Sequence, residues 1–140
     1  MLQSFVSSAL QRWSCWDDQH KSLGHNAWQL WGLYVLRMVL QRYPTLPKSY
    51  WKIFVVVQRY FAGDVSLQTV RYEMYPYILE CQSNKGAVVY EVILNCILII
   101  LEQDHIEERV QKTGMLCEKI FAPSDLIQIG RSILNEVMRV

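Results

Sequence analysis

Residues 26–71, NAWQLWGLYVLRMVLQRYPTLPKSYWKIFVVVQRYFAGDVSLQTVR, carry the signals that set the fold. Asn26 is a good N-cap, and the residues after it to Tyr43 are mostly apolar. Only Gln29, Arg37, Gln41 and Arg42 are clearly polar there, which predicts a helix buried over most of its circumference. Pro44 and Pro47 end it, because a residue before proline is pushed out of the α region. A second helix is expected over residues 49–62. Val55, Val56 and Val57 would suit a strand. Tyr50, Ile53, Phe54, Val57, Tyr60 and Phe61 instead recur with a three-to-four rhythm, which favours the helix. Gly63 supplies a left-handed stop, and Ser66 caps the next helix.

The same kind of signal continues along the rest of the chain. Residues 67–81 form a helix that Pro76 should kink or break in two. Residues 83–86 make a corner, and apolar residues then run as a helix to about Gln103. A further helix covers residues 104–121, with Gly114 a weak point. Ser124 is expected to cap a last helix over 125–138. Towards the start, Leu2, Phe5, Val6, Ala9 and Leu10 recur at helical spacing, predicting a helix over 2–16 and a polar connection over 17–25. No pair of apolar runs carries hairpin chemistry. The expectation is all-α: one domain over residues 1–140, a bundle of about seven helices and no sheet.

Composition narrows the class. The chain is 51% hydrophobic and 19% charged, and it carries five Trp and eight Tyr, which points to a well-filled interior with an aromatic face to spare. Net charge is +1, yet residues 1–63 hold seven basic against two acidic side chains and residues 64–140 seven against eleven. Balances of +5 and −4 can produce a bipolar surface, or simply uneven solvated faces. Cys15, Cys81, Cys96 and Cys117 form no CxxC and no close pair, and the last three sit among apolar helical residues as small hydrophobes. With no basic n-region before an apolar run at the start, a cytoplasmic chain with reduced thiols is expected. Residues 86–101 resemble a membrane span, but Glu91 and Asn95 interrupt them and the run falls short of about 18–20 apolar residues. A central bundle helix is the better reading, without membrane insertion.

No nucleophile, metal box or phosphate loop stands out, so the expectation is a non-enzyme without metal or cofactor. Cys15, His20 and His25 recur every five residues, but they lack a fourth ligand and a spacing that forces tetrahedral convergence. His105 lies among carboxylates, where a general base would need a cleft; a solvated corner is the simpler reading. Glu102, Asp104, Glu107 and Glu108, with Glu118 nearby, form the densest single-sign patch and the expected partner-binding surface. Such a patch attracts a basic partner and speeds its association. Arg37, Arg42, Lys48, Lys52 and Arg59 lie near Tyr43, Tyr50, Trp51 and Tyr60, an arrangement that suits single-stranded nucleic acid. A helical nucleic-acid-binding regulator is therefore the alternative, although a pI near 7.7 argues against it. All five Trp fall between residues 13 and 51, as core for the first two helices or as interface anchors.

The pattern Leu30-Trp31, Val35-Leu36, Tyr43-Pro44, then Ile53 and Tyr60-Phe61-Ala62-Gly63-Asp64-Val65-Ser66, resembles a known family. It is similar to the all-helical immunity proteins of bacterial polymorphic-toxin and contact-dependent growth inhibition systems, over about a third of the chain. The resemblance implies a small cytoplasmic protein without catalytic activity that binds a cognate toxin domain and blocks its active site. If that toxin is a basic nuclease, the acidic patch would mimic phosphate. A homo-oligomer is compatible with this reading.

Overall fold

The computed structural model describes residues 27–84, 86–102 and 105–138, and every regular element among them is helical. In chain order these are α1 (Ala27–Arg42), a 3-10 turn (Lys48–Tyr50), α2 (Trp51–Phe61), α3 (Leu67–Ser83), α4 (Val88–Leu101), α5 (Ile106–Cys117) and α6 (Pro123–Met138). Six of the seven expected helices are thus present. The seventh, over residues 2–16, lies outside the described residues, as do the connection over 17–25, Cys15, His20, His25, the cap expected at Asn26, and Asp104.

Two helices make the centre. α4 packs on α1, α3 and α5, while α1 also touches α2, α5 and α6. The composition of α4 explains its place: its 14 residues include one acid and one amide. Val92, Ile93, Cys96, Ile97, Ile99 and Ile100 are buried, and Asn95 is satisfied within the helix by donating from Nδ2 to the Glu91 carbonyl at 2.8 Å. At 1.5 Å per residue α4 is about 21 Å long. No described helix is long and apolar enough to cross a membrane. On α1, Leu36, Val39, Trp28 and Trp31 are core residues, and Gly32 sits where the helix meets α4. A Cβ there would stand 3.2 Å from Ile99 Cγ2 and 3.3 Å from the Cys96 carbonyl oxygen, so glycine sets the close approach of the two helices.

Helix ends are closed by side chains from elsewhere in the fold. The last carbonyls of a helix lack intrahelical donors. At the end of α4, buried Gln29 Nε2 donates to the Ile100 carbonyl at 2.8 Å and Arg71 Nη2 donates to that of Leu101 at 3.2 Å. The Tyr43 hydroxyl donates to the Ile120 carbonyl at 3.0 Å beyond α5, and the Tyr77 hydroxyl to that of Ser49 at 2.9 Å. Gln29, polar in sequence, is therefore a core residue with a structural task.

Local expectations hold at several turns. Residues 55–57 are helical; Gly63 is left-handed at φ 82°; the Ser66 hydroxyl accepts from the Thr69 amide at 3.2 Å. Others need correction. The break into two helices offered at Pro76 does not occur: α3 continues through that residue, which is exposed next to exposed Tyr75 and one turn beyond Tyr72. Water can solvate the carbonyl that Pro76 leaves without a donor. Gly114 is buried within an uninterrupted α5, and that helix ends at Cys117, before the expected residue 121. Ser124 is not the cap of α6. Pro123 takes the first helical position, which suits a residue without an N–H, and the Asp125 carboxylate accepts from the Ala122 amide at 3.2 Å.

Candidate interaction surfaces

The acidic cluster is at the α4–α5 junction. Glu102 is exposed just past α4, and Glu107 and Glu108 are exposed in the first turn of α5. His105 between them is exposed with φ 55°, the left-handed residue that turns the chain into α5. The junction is a solvated corner, as expected for His105. The carboxylates also have local work. Glu107 and Glu108 complement the positive end of the α5 dipole, and Glu102 accepts from Arg109 Nη2 at 3.4 Å.

The aromatic corner divides between core and surface. Tyr50 is fully buried, edge-on to Tyr77 and Tyr90 with ring centroids 5.2 and 6.2 Å away. Its hydroxyl makes no well-formed hydrogen bond but lies against Cys81 and Glu80; burial first, and then these two neighbours, push its pKa far up. Tyr43 and Tyr60 are half-buried. Trp51 is 39% exposed, edge-on to Phe54, over whose ring Arg37 places its guanidinium carbon at 6.0 Å. Lys48, Lys52 and Arg59 are exposed, whereas Arg42 pairs with Asp125 at the start of α6. Of the tryptophans, Trp28 and Trp31 are core, so among the described residues only Trp51 offers a surface ring.

A third surface has no counterpart in the sequence-based expectations. α3 turns Val70, Met74 and Cys81 inward. Its opposite face presents Tyr72 at 82% exposure, Tyr75 at 60% and Leu79 at 45%, with exposed Pro76 between them. These positions, i, i+3, i+4 and i+7, form one stripe on a helix. Single exposed apolar residues are ordinary. Three large ones with a proline on one helix face make a patch, and Tyr is a residue type on which interfaces concentrate binding energy. The available signal in the sequence is a second apolar stripe on α3, about half a turn away from the core stripe.

The interior of the described residues offers no chemistry to compete with these surfaces. Cys81, Cys96 and Cys117 are free and buried; burial raises the Cys81 thiol to about 11 and that of Cys117 to about 12, and lifts Cys96 well above the ordinary thiol value. Such thiols stay protonated and unreactive near neutral pH. Among the described residues no cluster of His, Cys, Asp and Glu is arranged to hold a metal ion. A groove of about 320 Å³ between α1 and α2, floored by Leu30, Leu33 and Phe54 and edged by Arg37 and Gln58, carries no convergent set of polar groups. No protein-family model, curated protein or solved structure matches the chain.

Proposed function

We propose that this protein acts by surface contact with another protein, as the cytoplasmic inhibitor of a bacterial toxin domain. The observation that carries the reading is the exposed stripe of Tyr72, Tyr75 and Leu79 on the outer face of α3. These side chains lie outside the buried core of the described residues and have the chemistry of interface anchors. The exposed carboxylates Glu102, Glu107 and Glu108 add steering for a basic partner. The specific role as immunity partner comes from the resemblance in residues 30–66. Under this reading the residues that carry that resemblance set the frame: Leu30, Trp31, Val35 and Leu36 fill the core, and Gly63 and Ser66 shape the turn into α3.

Co-expression with a toxin gene encoded next to this one tests the proposal. The expected result is a co-purifying complex and protected growth, both lost in the Tyr72→Ala/Tyr75→Ala variant while the fold is kept. Absence of both complex and protection with the native chain rejects the immunity role.

A further inference from the structure

The stripe on α3 has a charged border that narrows what can dock on it. Tyr72 and Leu79 are seven residues apart, and so are Glu73 and Glu80. Seven residues are two turns, so an apolar row and an acidic row run side by side for about 10 Å along the helix. Both carboxylates are exposed and neither joins a salt bridge among the described residues, although Glu80 also lies close to the Tyr50 hydroxyl and both lie near that of Tyr77. On the opposite flank Arg71 is committed to the Leu101 carbonyl. That contact also sets the start of the stripe beside the α4 terminus, where Glu102 comes next in the chain.

Resting on the reading of this face as an interface, we infer that its partner is a basic amphipathic helix. Apolar side chains of that helix pack among Tyr72, Tyr75, Pro76 and Leu79, and its Lys or Arg residues, seven apart, meet Glu73 and Glu80. This is how flanking charges select partners along helix–helix seams. The same border disfavours other occupants. A second copy pairing antiparallel about a two-fold axis would set the row of Glu73 and Glu80 against its own equivalent. A parallel copy would offer it a flank whose arginine is already engaged. Nucleic acid and anionic lipid are repelled by the acidic row.

The test uses the full chain, isotope-labelled for amide shifts, and three four-turn peptides. One is an amphipathic helix of leucine and lysine, the second has glutamate for lysine, and the third is lysine with alanine for leucine. The expected result is that only the leucine–lysine peptide binds and that shifts centre on residues 68–83. Tyr72→Ala should weaken this binding about tenfold. The Glu73→Gln/Glu80→Gln variant should weaken it several-fold at low salt and less at high salt. All three residues are exposed, so these variants keep the fold. Binding that depends on Tyr72 but tolerates the glutamate peptide or the Gln pair would overturn the basic partner and leave the α3 interface standing. Shifts confined to another face, or concentration-dependent dimerisation through α3 without peptide, would overturn the assignment of the stripe itself.

Discussion

α3 and α4 lie side by side, yet they treat their apolar residues in opposite ways. α4 is apolar on nearly every side and spends those residues in the core, where Ile93, Cys96, Ile97, Ile99 and Ile100 are almost fully enclosed. α3 buries a narrow row, Val70, Met74 and Cys81, and leaves two tyrosines and a leucine in solvent. Burial on α4 follows from the fold's need for a centre. The α3 stripe lies outside the buried core of the described residues. The difference separates residues that hold the molecule together from exposed residues proposed here as its contact surface.

That separation can be challenged most forcefully from the α4 side. Ile97→Ala leaves a cavity at the centre and should cost about 2–5 kcal/mol in urea unfolding. Gly32→Val, driven against Ile99 and the Cys96 carbonyl, should cost about 3 kcal/mol by the same measurement. Gln29→Ala, which strips the Ile100 carbonyl of its buried donor, should cost about 1–3 kcal/mol. If any of these proves neutral, α1 does not pack on α4 through these contacts. At the small end, Tyr72→Ala and Tyr75→Ala should each stay within about 0.5 kcal/mol of the native protein. A large loss there would mean that the stripe is structural.

Two tyrosines extend the contrast into the core. Tyr43→Phe removes the donor to the Ile120 carbonyl and should cost about 1 kcal/mol. Tyr50→Phe removes a buried hydroxyl that makes no well-formed hydrogen bond, so stability should hold or rise slightly. The thiols add a pH dependence. Cys81 ionises near 9 when unfolded and at about 11 in the fold, so the native state keeps its proton longer. Stability is unaffected below pH 9 and falls as pH rises from 9 to 11. In chemical denaturation a Cys81→Ala variant should show a shallower alkaline decline.

Much of the fold is legible in the sequence because its signals are local. The apolar density of residues 28–40, the prolines at 44 and 47, and the Gly63–Ser66 turn each act through their own backbone, and the structure obeys them. Tertiary context is the part that sequence does not carry. Pro76 is tolerated in a continuous helix because its turn faces water, and Asp125, not Ser124, meets the free amide of Ala122 just ahead of α6. Gln29 reads as a polar residue for solvent, whereas the end of α4 requires it as a buried donor. On the surface side, clustering of like charge is readable and leads to Glu102, Glu107 and Glu108, whose placement also meets local needs of α5. The α3 stripe is not readable in the same way, because a tyrosine's exposure depends on which face of its helix the bundle leaves uncovered.

Binding is proposed above all on the outer face of α3. Hydroxyl-radical footprinting of the chain alone, and in complex with any toxin domain that co-expression yields as its partner, puts the proposed interface to the test. Tyr72 and Tyr75 should be strongly labelled in the free protein and protected in the complex, while exposed Met115 on α5 is labelled in both. A complex in which Tyr72 and Tyr75 stay fully labelled, with protection on another face, would contradict it.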